Sequence, residues 1–109
     1  MKSENSSKTF GQIIRIKREE HDWTGQELLD RVKKHIDGSL STSYLSRIEK
    51  VGEIPSPKLT QALSIVLGIE PEELFEQARK EKIMKFTQEI EKTYSPSSLN
   101  FSTSMKKSL

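Results

Sequence analysis

Five helix-start signals between residues 9 and 71, each leading into apolar residues at steps of three and four, commit this chain to short packed helices. Thr9 has Gln12 three residues on and Thr24 has Glu27, the spacing at which a hydroxyl caps one free amide while the longer side chain reaches back to the cap's own. Ser41 is a third cap. Ser56 followed by Pro57 is a fourth start, and Pro71 a fifth, because proline at the first helical position forfeits no hydrogen bond. Asp22-Trp23, Asp37-Gly38, Gly52 with Pro55, and Gly68 supply the stops and turns. No alternating β pattern and no internal repeat is visible.

The expected helices run from Thr9 to about His21 with Phe10, Ile13, Ile14 and Ile16 inward, and from Thr24 to near Ile36 with Leu28, Leu29, Val32 and Ile36. A third runs from Ser41 to about Lys50 with Leu45 and Ile48 inward and Thr42, Ser43, Ser46 and Arg47 on its other faces. The fourth, Ser56 to Gly68, is strongly apolar through Leu59, Leu63, Ile65, Val66 and Leu67. Leu74, Phe75 and Ala78 mark the fifth, and no Gly or Pro interrupts the chain from there to Tyr94. Ile83, Phe86, Ile90 and Tyr94 form a second stripe, expected to be helical over 80–94 and to be covered by a second copy of the chain or by its own core.

At 109 residues the chain has room for one domain, and with 32% hydrophobic residues that domain has a small core. There is no cysteine, so neither a disulfide framework nor a thiolate metal cluster nor a thiol nucleophile is available, and a reduced, cytoplasmic setting fits. No apolar run is long enough for a membrane span, and Met1 to Lys8 lacks the apolar stretch of a signal peptide. Residues 1–8 and the Ser-rich 95–109 read as disordered ends. The net charge of +2 permits a nucleic-acid partner without arguing for one, so any electrostatic footprint depends on how Arg15, Lys17, Arg31, Lys33, Lys34, Arg47 and Lys50 are arranged on one surface.

Individual letters carry more than the packing pattern. Phe10-Gly11, Arg18, Trp23-Thr24, Glu27-Leu28, Leu40-Ser41, the block Tyr44-Leu45-Ser46-Arg47-Ile48-Glu49, Pro55-Ser56, Leu67-Gly68-Ile69 and Glu73-Leu74-Phe75 together resemble the Cro and phage-repressor family of helix-turn-helix DNA-binding domains over residues 9–79. The resemblance implies an all-α, five-helix repressor-like domain over 9–79 with a helical extension at 80–94. It also implies double-stranded DNA as partner, read in the major groove by helix 41–50. Carried over position by position, Thr42, Ser43 and Arg47 are base readers, Arg47 through a bidentate pairing of its guanidinium with a guanine edge. Thr24, Gln26, Ser41, Tyr44, Ser46 and Lys50 are phosphate contacts, Ser41 at a helix start whose free amides suit an anion. Arg18 and Glu49 are an ion pair tying helix one to the recognition helix.

Two departures from the family pattern stand out. Gly25, with Gln26 beside it, occupies the place where the family has a glutamine that touches phosphate and braces the recognition helix. Seven residues lie between Val32 and Leu40 where the family typically has one, which predicts a second helix longer by more than a turn. Trp23 is expected to plug the core, and His21 and His35 lack partners at ligand spacing, so no metal is expected. No glycine-rich phosphate loop, paired-carboxylate motif or nucleophile elbow is present, so neither an enzyme nor a cofactor is expected. The expected function is a sequence-specific transcriptional regulator, a repressor, binding DNA as a homodimer at the cytoplasmic nucleoid. The alternatives are an antitoxin-type protein that binds its own promoter and takes a protein partner through residues 80–109, and a helix-turn-helix scaffold used for protein interaction.

Overall fold

Local capping chemistry builds the first two helices as the spacing demands. In the computed structural model, which describes residues 8–95, Thr9 accepts from the Gln12 amide at 3.1 Å while the Gln12 side chain accepts from the Thr9 amide at 3.0 Å, opening α1 (Phe10–Glu20). Thr24 and Glu27 make the same reciprocal pair at 3.1 and 2.8 Å and open α2 (Gly25–Val32). Between them Asp22 turns the chain with φ of 59°, a left-handed conformation that short polar side chains tolerate. Except for Lys8 and Ser95, the expected disordered ends lie outside the described residues.

Ser41 caps α3, which begins as Thr42–Ser46 and widens into a π-helical turn, Arg47–Val51, closed by Gly52 in the left-handed region at φ of 95°. Ser56 caps α4 (Pro57–Leu67), stopped by Gly68 at φ of 77°, and Pro71 opens α5 (Pro71–Thr93). The described residues are all-α, five helices without a strand. Phe10, Ile14, Leu28, Val32, Leu45, Ile48, Leu63 and Leu74 are sealed from solvent and bring all five helices to one core. Thr60 and Ser64, the buried polar side chains of α4, donate to the carbonyls of Ser56 and Gln61 within their own helix and so cost the core little.

Three expectations change. The second helix ends at Val32 instead of near Ile36: the amides of Lys34 and His35 donate to the carbonyls three residues back, Arg31 and Val32, so the last turn tightens and stops. The extra residues therefore form an irregular connection, with Ile36 and Leu40 half-buried against the core, and do not lengthen the helix. Trp23 is only half-buried at the edge of the core, stacked on His21 at 4.2 Å and 11° and covered on its ring by the Arg31 guanidinium at 4.2 Å. The stripe Ile83, Phe86, Ile90 and Tyr94 is exposed, so its own core does not cover it.

The body and the expected extension are one helix. α5 passes residues 79 and 80 without a break, Glu81 accepts from the Phe10 amide at the start of α1, Gln77 donates to the Lys8 carbonyl and to Glu81, and Lys85 donates to the Gly52 carbonyl. A carboxylate at the first amide of α1 is favoured by the partial positive charge of that helix end.

At Gly11 two helix backbones come close together. Gly11 lies against the widened turn of α3 so closely that a Cβ there would fall 2.2 Å from the Ile48 carbonyl oxygen and 2.9 Å from that of Glu49. Neither neighbour is a flexible side chain that could yield. Gly11→Ala is expected to destabilise the fold by about 3 kcal/mol, at the upper end of overpacking costs, as read from the midpoint of urea unfolding. A midpoint equal to wild type would show that α1 and α3 separate freely.

Candidate nucleic-acid interface

α3 divides lengthwise. Leu45 and Ile48 point into the core, and Glu49 follows them inward, its side chain only 4% exposed. Glu49 is met there by Arg18 of α1, whose Nε and second guanidinium nitrogen donate to its two carboxylate oxygens at 2.9 and 3.0 Å, a two-bond fork. The third guanidinium nitrogen donates to the Trp23 carbonyl at 2.8 Å, so one side chain joins α1, the turn into α2 and α3. The hydrogen bonds that Arg18 donates to Glu49 outweigh burial and raise the pKa of Arg18 further, keeping it charged at all ordinary pH. Arg18 and Glu49 thus form an ion pair that ties α1 to α3.

The other edge of α3 faces out. Ser41 accepts from the Tyr44 amide at 3.1 Å, so its hydroxyl hydrogen remains free to donate outward. Thr42, Ser43, Arg47 and Lys50 are exposed, and Tyr44 and Ser46 are half-buried between the two edges. The guanidinium of Arg47 lies 5.3 Å from the Tyr44 ring centre and its Nε donates to Glu53 at 2.9 Å. Partial burial raises the Tyr44 phenol, Glu53 adds to the rise, and Arg47 opposes it, so the hydroxyl stays protonated and able to donate. The structure brings Ser41, Thr42, Ser43, Tyr44, Ser46, Arg47 and Lys50 together on one helix whose position is set by its buried edge.

Two candidates sit on α2. Thr24 is exposed at that helix's first turn, its oxygen already accepting from Glu27 and its hydrogen free. Gln26 does not brace α3: its side-chain amide donates to Asp30 of its own helix at 2.9 Å. Bracing is done instead by closeness, since a Cβ on Gly25 would lie 3.2 Å from the Leu45 side chain. With no side chain at residue 25, α2 rests directly against Leu45 of α3. Lys33 and Lys34 are exposed in the connection between the two helices.

The residue that sequence reasoning missed is Glu53. It lies six positions beyond Arg47, and only the left-handed turn at Gly52 brings it back to the guanidinium. An acidic residue just past a glycine stop was the one available hint, and helical spacing gives it no weight.

Glu49→Ala removes the fork and leaves a guanidinium largely shut off from water, its side chain 17% exposed, with only the Trp23 carbonyl as partner. The expected cost is about 2–3 kcal/mol of folding stability, below the roughly 3–5 kcal/mol for fully buried pairs because Arg18 keeps partial access to solvent. Chemical denaturation of Glu49→Ala beside Glu49→Gln measures it, and an unmoved midpoint in both would mean that the pair holds nothing in place.

No protein-family model matches the chain, and no curated protein or solved structure shows significant similarity to it.

Proposed function

We propose that this chain is a sequence-specific DNA-binding transcriptional regulator, a repressor that occupies its site as a homodimer at the cytoplasmic nucleoid, binding without catalysis. The observation that carries the reading is the two-sided α3: Arg18 and Gly11 fix its buried edge, while Thr42, Ser43 and Arg47 stand exposed along the other. A reader of base edges needs short polar groups and a long forked donor on a helix anchored along its other edge, and α3 carries these groups opposite its contacts with Arg18 and Gly11. In this reading Thr42, Ser43 and Arg47 touch bases. Thr24, Ser41, Tyr44 and Ser46 donate to phosphates from around the groove, Gln26 by releasing Asp30, and Lys50 adds charge.

Arg47 approaches DNA already paired. To reach a guanine it exchanges Glu53 for the base, and because both side chains are about half exposed the exchange costs little. Glu53 also repels phosphate, so the pair serves as a mild brake on binding to unrelated sequence.

A second reading, an antitoxin-type protein with a protein partner on residues 80–109, draws support from the exposed stripe on α5. A partner protein that co-purifies with the full chain and is lost when α5 is cut after Arg79 favours it.

Selection of bound sequences from random duplex DNA tests the first reading. Enrichment of a two-part, near-palindromic site is the expected outcome, and recovery of unenriched sequence at every salt concentration overturns it. On the selected site Arg47→Ala is expected to weaken binding by about 1–3 kcal/mol and to relax preference at one base pair of each half-site, whereas a uniform loss across sequences reassigns Arg47 to phosphate. Glu53→Gln is expected to tighten binding about two- to fivefold by freeing Arg47 and removing a charge, as read by fluorescence anisotropy. Unchanged affinity would show that the ion pair does not compete with DNA.

A further inference from the structure

α5 uses one face to hold the body and presents a different chemistry on the opposite face. Leu74, Gln77, Ala78, Glu81 and Lys85 recur at steps of three and four and make the inward contacts, two as core side chains and three as hydrogen bonds to α1, its entry and the Gly52 carbonyl. Ile83, Phe86, Ile90 and Tyr94 recur at the same steps half a turn round the helix, and are 64%, 67%, 40% and 76% exposed. The stripe cannot fold back onto this chain's core while Glu81 and Lys85 stay bonded.

The charges beside the stripe select what covers it. Lys82 and Glu89 flank it on one side, Lys80 and Glu91 on the other, and all four are exposed. Both pairs are centred on the same point, between residues 85 and 86. We infer that α5 pairs antiparallel with α5 of a second copy about a two-fold axis at that point, through Ile83, Phe86, Ile90 and Tyr94. Antiparallel helices related by such an axis bring like flanks together, so Lys82 meets Glu89 of the second copy and Lys80 meets its Glu91, each pair occurring twice. A parallel arrangement brings opposite flanks together at equal height and sets Lys80 against Lys82 and Glu89 against Glu91. The sequence is therefore complementary in one orientation and repulsive in the other.

The apolar contacts agree with the same centre. Phe86 falls on the axis beside its own copy, where offset ring stacking is available. Ile83 and Ile90 interleave with their counterparts, and Tyr94 reaches the level of Gln77 of the second copy, between the exposed Glu76 and Arg79. With about 200 Å² for a full side chain of this size, the four exposures leave roughly 500 Å² per copy. Two such faces reach about 1,000 Å², the lower edge of specific interfaces, so the dimer dissociates on dilution.

This inference supplies the surface for the second copy that the proposed function calls for, and its readout needs no DNA, so its failure and that of the DNA reading are separable. Sedimentation equilibrium of the full chain is expected to show a monomer–dimer equilibrium. F86E is expected to be monomeric over the same range with unchanged helicity, since the residue touches nothing of its own chain's core. K80E/K82E is expected to weaken the dimer at least about tenfold, and K80E/K82E/E89K/E91K to restore it to within about threefold, because only antiparallel self-pairing re-forms every ion pair when all four signs are exchanged. Mild oxidation of F86C, in a chain that otherwise lacks cysteine, is expected to yield covalent dimer, and K92C, on the inward side of the helix, is expected not to. A wild-type chain that is monomeric throughout overturns the inference. So does a fourfold variant no better than K80E/K82E.

Discussion

The fork between Arg18 and Glu49 is the interaction on which the rest of the molecule depends. It is made where α1 comes so near α3 that a side chain at residue 11 would not fit, and the two features need each other. Without the fork, the close approach of α1 to the carbonyls of Ile48 and Glu49 would rest on the apolar packing of Phe10, Ile14 and Ile48 alone. Without the glycine, Arg18 would stand too far from Glu49 for both hydrogen bonds. Because the same guanidinium also takes the Trp23 carbonyl, the entry to α2 is set by the group that sets α3. The widened turn of α3 lies at this contact, which fits the tendency of π-helical turns to mark positions where ordinary helix geometry yields to something else.

From that anchor the outward edge of α3 acquires its order. A short helix in a small domain would fray at its ends, yet here one end is held by the Ser41 cap and the other by the double acceptance of the Gly52 and Glu53 amides at the Arg47 carbonyl. Arg47 is thus fixed through its backbone while its side chain remains able to change partners. A rigid mount and an exchangeable head is the combination that the proposed function requires of α3, and only the mount is expensive to build.

What could be read from the chain was what is decided within a few residues. The capping boxes at Thr9 and Thr24, the Ser56-Pro57 start and the Gly52 and Gly68 stops depend on spacings of three or four and appeared where expected. Arg18 with Glu49 was legible only through resemblance, since 31 positions separate them. The end of α2 was misplaced because Ile36 keeps the helical apolar period after the backbone has tightened at His35; Ile36 packs on the core from an irregular segment, which periodicity cannot distinguish from a helix. Trp23 packs against the core from its edge instead of filling it, because the indole also stacks on His21 and is covered by the Arg31 guanidinium. Glu53, Glu81 and Lys85 act across turns or between distant helices, and nothing in their neighbours marks them.

The bonds from Glu81 to the Phe10 amide and from Lys85 to the Gly52 carbonyl have a geometric consequence. The helix that carries the exposed stripe is joined to both ends of the α1–α3 unit with no linker between, so it behaves as an arm and not as a tether. In the proposed DNA-binding function, two copies paired through that arm would hold their α3 helices at one separation and one phase around the duplex. A tethered pair tolerates added base pairs between its half-sites by stretching. A pair on rigid arms does not, so in that function a single inserted base pair would rotate one half-site out of reach, and the spacing itself would become part of the sequence being read.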